Sequence, residues 1–253
     1  MGPGGKASCG RDKLTGNLTE HDLADWFEQL RWYLWGCREG GISGWEPLPA
    51  PPLEVTAPVD ALEKNPPAAA SDAMEILSRI SDELNGCTRC RLHSGRTNLV
   101  FGEGSTQSGL IFVGEGPGSD EDRQGRPFVG RAGKLLDKMI FAIGLDRSQV
   151  YICNVVKCRP PENRTPQSDE AAACSPFLFR QLEALSPKVI CTLGLSAAQA
   201  LLATTEPLAR LRGKVRFWRG IPLVCTYHPA YLLRSPTQKA ATWRDLKEIL
   251  KLL

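Results

Sequence analysis

Residues 110–133 read LIFVGEGPGSDEDRQGRPFVGRAG. Leu110–Val113 is a short apolar run that stops at glycine, which predicts a buried strand ending in a Gly-rich turn. A helix is expected at 131–143. The same grammar recurs along the chain. Strands are expected at 150–156 and 188–193, and helices at 72–84, 168–184 and 196–202. Val215–Trp218 and Leu223–Thr226 read as later strands paired around Gly220, and a last helix is expected over 236–252. Strands alternating with helices argue for a parallel sheet covered on both faces. Ligands of such sheets bind beyond the carboxyl ends of the strands, so segments directly after strands are the ones to read for chemistry.

Three such segments stand out. In 114–133, glycines allow close backbone approach, and Glu115, Asp120, Glu121 and Asp122 put four carboxylates within eight residues. That acidity and the lack of a GK[ST] step exclude a P-loop. Water activation or cation stabilisation fits better, and an ordinary acidic loop is the competing reading. Phe128 suits stacking on a planar ligand or core packing. In YICNVVKCRPPENRTP, 151–166, Asn154 lies at or near the end of a strand. A buried amide must find partners; the edge of a base or a structural contact would both serve. In TYHPAYLLRSP, 226–236, His228 follows a strand directly and suits a developing oxyanion. Tyr231, Leu232, Leu233 and Arg234 form either an apolar wedge with a basic flank or an amphipathic turn packed on the core.

The chain has 253 residues, 42% hydrophobic and 23% charged, the profile of a globular protein with a sizeable core. No apolar stretch approaches the roughly 20 residues of a membrane span, and MGPGGKASCG carries no apolar secretory region; a cytoplasmic location is expected. Residues 1–73 hold six Lys/Arg and eleven Asp/Glu, whereas 74–253 hold 25 and 17. The basic body hints at a polyanion partner. Three regions follow: an extension over 1–45, a linker over 46–71 and a domain over 72–253. Residues 46–70 contain seven prolines and six alanines, a semi-extended composition. Within the extension, apolar residues at helical spacing predict one amphipathic helix, spanning 20–35, suited to self-docking or to a protein partner.

Nine cysteines without an export signal argue against a disulfide framework. Cys87, Cys90, Cys158 and Cys174 fall in a C-x2-C…x67…C-x15-C pattern. Four thiolates hold either a tetrahedral zinc or a [4Fe–4S] cluster, and spacing does not decide between them. Cys153, Cys191 and Cys225 sit in apolar runs and read as buried thiols.

GEGPGSDEDRQGRPFVGRAGKLLDKM, NVVKCRPPENRTP and HPAYLLR, with CTRC upstream, together resemble the family 4 uracil-DNA glycosylases, the iron–sulfur members of their superfamily. The resemblance covers about 75–250. It implies a three-layer α/β/α sandwich with a central, mostly parallel four-stranded sheet, and a [4Fe–4S] cluster on Cys87, Cys90, Cys158 and Cys174. It implies that Phe128 stacks on a flipped uracil, that Asn154 pairs with its O4 and N3 edge, and that Gly116 contributes a backbone contact. Glu115 and Glu121 would position water, and His228 would stabilise charge on O2. Tyr231, Leu232, Leu233 and Arg234 would enter the minor groove, while Arg131, Lys134, Lys157 and Arg159 would join Arg234 on phosphates. The implied activity is excision of uracil from single- or double-stranded DNA in base excision repair, leaving an abasic site. A glycosylase for hypoxanthine or xanthine, or a non-catalytic metal-stapled damage sensor, are the alternatives.

Overall fold

The computed structural model describes residues 70–253. The extension with its expected helix at 20–35, and the linker as far as residue 69, lie outside the described residues. The helices are α1 (Ala70–Leu84), α2 (Ser119–Gln124), α3 (Arg131–Ala142), α4 (Ser168–Leu185), α5 (Leu195–Leu202), α6 (Leu208–Leu211), α7 (Pro229–Arg234) and α8 (Lys239–Leu252). The strands are β1 (Glu103–Gly104), β2 (Leu110–Gly114), β3 (Tyr151–Asn154), β4 (Val189–Leu193), β5 (Val215–Trp218) and β6 (Ile221–Thr226).

They form one sheet of six strands, not four, in the order β1-β3-β2-β4-β6-β5. The expected parallel centre is there: β3, β2, β4 and β6 run parallel in register. Two antiparallel edges are added to it. β5 folds back on β6 as a hairpin. β1 is the two residues Glu103–Gly104 pairing with Tyr151 and Ile152, too short to carry any apolar period.

β2 is buried along its whole length, as an interior parallel strand must be. Its side chains alternate between two cores. Leu110 and Phe112 join Leu136 and Ile140 of α3 and Leu246 and Ile249 of α8. Ile111 and Val113 join Leu178 and Leu182 of α4 and Ala197, Ala198 and Leu201 of α5. α1 is fixed to α4 through Ile80, Leu84 and Phe177. The chain therefore leaves β2 towards α3 on one face and leaves β4 towards α5 on the other. Neighbouring strands whose exits diverge leave a crevice at their carboxyl ends, and that is where the sequence concentrates its glycines and carboxylates.

Two expectations are corrected here. The 226–236 segment is helical from Pro229, with His228 as N-cap and proline at the first helical position. Helical periodicity then turns Leu232 inward, where it is 1% exposed in the α3–α8 core, while Tyr231 and Leu233 remain exposed. Leu232 is a core residue and not part of a wedge. Lys157, expected on phosphate, is fully buried beneath the sheet end and cannot reach DNA.

Leu232→Ala should accordingly cost about 2–5 kcal/mol of folding stability. Leu233→Ala should stay within about 0.5 kcal/mol, as exposed sites usually do. Urea unfolding of the two variants measures the contrast.

Candidate active site

Three parallel strands end at the crevice, and each delivers one group. β2 ends at Gly114, directly opposite Asn154 at the end of β3. A side chain at Gly114 would collide with both Asn154 Oδ1 and the ring of Phe128. Glycine here leaves an open slot, with the amide and the aromatic ring as its walls. Asn154 is 1% exposed, and its Oδ1 is a buried acceptor with no hydrogen-bond partner. An orphaned acceptor of this kind costs on the order of 1–3 kcal/mol, so it marks where a ligand donor belongs.

Phe128 is buried at φ +51°, a left-handed conformation that is strained for a bulky residue. Its neighbours hold it there from both sides. Arg147 Nη2 donates to Pro127 O at 2.5 Å and pairs with Glu103 and Asp137. Glu121 Oε1 accepts from the Val129 and Gly130 amides, both at 2.9 Å, and Oε2 accepts from Gly118 N at 3.1 Å.

The four carboxylates of the acidic run therefore do different work. Glu121 spends both oxygens on backbone amides. Asp122 is buried and accepts from Thr97 and Asn98 amides at 2.8 and 3.3 Å. Asp120 pairs with Arg123 at 2.6 Å on the surface. Glu115 alone stands at the crevice, where the Ser196 hydroxyl donates to its Oε2. Gly116 lies against Val156.

β6 delivers His228. Its Nδ1 accepts from the Ala230 amide at 3.1 Å, which puts the ring proton on Nε2. Burial pulls the ring down to about 4, with the Arg234 charge adding to this and Glu121 opposing it. The imidazole is thus neutral, with Nε2–H as its one donor. Its ring centroid is 5.5 Å from that of Phe128. Asn154, Phe128 and His228 come together, with Glu115 on the same sheet end. On the adjoining surface, α3 packs against α7. Arg131 and Lys134 of α3, and Tyr231, Leu233 and Arg234 of α7, are all exposed.

A second pocket lies behind β3. Cys87, Cys90, Cys158 and Cys174 line it together with Arg96 and Lys157. None of the four is in a disulfide. Among the described residues no three His, Cys, Asp or Glu side chains converge closely enough to hold one metal ion; the thiols surround a space. Arg96 Nη1 points at Cys158 Sγ at 3.2 Å and Arg89 Nη1 at Cys87 Sγ at 3.4 Å. Burial pushes the Cys158 thiol up and the Cys174 thiol to about 11. Lys157 Nζ donates to Asn154 O at 2.9 Å and Gln181 Oε1 at 2.5 Å, linking this pocket to the base of the first one. Sequence reading had no sign of Ser196, of the clamping role of Glu121, or of the burial of Lys157.

Residues 101–247 match the model of the uracil DNA glycosylase superfamily. A type-4 uracil-DNA glycosylase of Thermotoga maritima is 47% identical over 163 residues, covering 64% of this chain and 85% of that protein. One from Sulfurisphaera tokodaii is 45% identical over 188 residues, covering 71% and 86%. A type-5 uracil-DNA glycosylase of Pyrobaculum aerophilum is 34% identical over 148 residues, covering 51% and 64%. With this much sequence shared over the described domain, the chain belongs to the uracil DNA glycosylase superfamily and, within it, to the type-4 family.

Proposed function

We propose that this protein excises uracil from DNA: it takes the base out of the stack and hydrolyses its N-glycosidic bond, leaving an abasic site for base excision repair. The observation that carries the reading is the orphaned Oδ1 of Asn154 beside the ring of Phe128. Uracil offers a donor at N3 and an acceptor at O4. The Asn154 amide offers the complementary acceptor and donor. Cytosine reverses both, so it would leave two buried polar groups facing like partners, a strong basis for rejection. Phe128 supplies a stacking face for the flipped base.

As the bond to the sugar breaks, negative charge gathers on uracil O2. The neutral His228 offers Nε2–H to it, and its proton stays on the ring throughout. A fixed donor of this kind is worth on the order of 100–1,000-fold in rate. The Glu115 carboxylate orients the water that adds to the sugar carbon and favours the positive charge developing there. Glu121 serves the same site indirectly, by holding Phe128 in place. Tyr231 and Leu233 are the residues of α7 exposed for insertion into the minor groove, and Arg131, Lys134 and Arg234 would meet phosphates.

The four-thiol pocket fits an iron–sulfur cluster. The donors are all sulfur, they enclose a space, and two guanidinium groups point at them. A cluster on Cys87, Cys90, Cys158 and Cys174 would staple the segment before β1 to the segment after β3 and to α4. It would supply structural bracing to the Asn154 end of β3. Among the described residues no helix is long and apolar enough to cross a membrane.

The deciding experiment is incubation with a single-uracil oligonucleotide, followed by alkali, beside cytosine, thymine and hypoxanthine controls. Breakage at uracil alone is expected; intact uracil DNA would overturn the reading. Asn154→Ala and His228→Ala should each lose on the order of 100-fold or more in excision rate while retaining fold and metal. For His228 the ordinary value of 6.5 falls to about 4 on folding. Between these values the unfolded chain binds the extra proton, so this residue's contribution to stability is full above pH 6.5 and lost as pH falls through about 4. Nitrogen NMR of the ring should find the neutral Nε2–H form throughout that window. Protons compete with metal for the raised Cys158 and Cys174 thiols, so acidification should bleach the visible absorbance of the purified protein and lower its melting temperature.

A further inference from the structure

We infer that Ser196 is a positioning residue for Glu115, and that the turn carrying it sets the carboxylate and histidine arms of the site relative to one another. The inference deepens the uracil-excision reading and rests on it. β4 lies between β2 and β6 in the sheet, so the turn after β4 lies between the turn that carries Glu115 and the turn that carries His228. That middle turn is Gly194, the N-cap of α5, with Leu195 and Ser196 in the helix's first turn.

It touches both neighbours. On the His228 side, the Gly194 amide donates to the carbonyl of Thr226, the last residue of β6, at 2.9 Å. Gly194 sits at φ +93°, and a Cβ there would be 3.1 Å from His228 Cβ. Only glycine lets the histidine arm settle against this turn. On the other side, the Ser196 hydroxyl donates to Glu115 Oε2. Among the described residues no other side chain hydrogen-bonds that carboxylate.

The chemistry makes this contact consequential. A carboxylate that orients water has two oxygens and free rotation about its last bond. With Ser196 fixing Oε2, the rotation is removed and Oε1 is left for the water. The serine lies in the first turn of α5, where the helix dipole also favours a negative group. Hydrogen bonds to ionised groups are roughly twice as strong as neutral ones. Ser196 is therefore a lever on kcat: its hydroxyl is spent on the carboxylate, so binding should not register its loss.

The test uses the intact protein with a uracil oligonucleotide and compares Ser196→Ala, Ser196→Thr, Glu115→Gln and the Ser196→Ala/Glu115→Gln double variant. Ser196→Ala should lower kcat on the order of 10-fold, with KM and melting temperature at wild-type values. Ser196→Thr keeps the hydroxyl and should recover most of the rate. In the Glu115→Gln background, Ser196→Ala should cause no further loss, since its effect runs through the carboxylate. Wild-type kcat in Ser196→Ala, equal losses in both backgrounds, or a threonine variant as slow as the alanine variant would each overturn the inference. Failure of the underlying reading is separately visible, because the wild-type protein would then leave uracil DNA uncut.

Discussion

Parallel pairing of β2, β4 and β6 is the constraint on which the rest of the molecule depends. Parallel strands in register finish at the same end of the sheet, so the turns that follow them are neighbours whatever their separation in sequence. Glu115, Ser196 and His228 are brought together in this way. The chain crosses to opposite faces after β2 and β4, and this keeps the helices from closing over the gap. The sheet supplies neighbours and an opening. The chemistry comes from a few side chains placed at its edge.

Placement there is maintained against local preference. Phe128 stands in a left-handed conformation that costs on the order of 1–3 kcal/mol. It persists because the two amides that follow it, Val129 and Gly130, are held by Glu121, and because Arg147 holds the preceding carbonyl. Asn154 keeps an acceptor buried and unmatched. Gly114 leaves empty what any other residue would fill. These are departures from what is best for folding alone, and all three face the same slot. Strain and unsatisfied polarity gathered at one point are the mark of a surface shaped for a ligand that completes it.

How much of this the sequence disclosed follows from the range of the forces involved. The four parallel strands and the long helices were legible, because apolar runs and helical periodicity are local signals. β1 was not: Glu103–Gly104 is a strand only because Tyr151 and Ile152 are beside it. The carboxylates of 115–122 looked alike in sequence. Their division among crevice, clamp, loop anchor and surface pair depends on which amides and cations arrive from elsewhere. Leu232 was read with its exposed neighbours because the helical turn of HPAYLLR, short and begun by proline, has too few residues to declare a period. Ser196 escaped notice for a related reason. A serine near the start of a helix is so ordinary that only the carboxylate opposite distinguishes it.

Lys157 shows how the two pockets bear on one another. A lysine with no exposed surface needs compensation, and its two hydrogen-bond partners, the Asn154 carbonyl and the Gln181 amide oxygen, are neutral. Burial lowers its pKa, and the neighbouring Cys153 and Cys174 sulfurs work the other way. One buried amine thus ties the two pockets together: Lys157 lines the cysteine pocket and hydrogen-bonds the backbone of the residue whose side chain faces the slot.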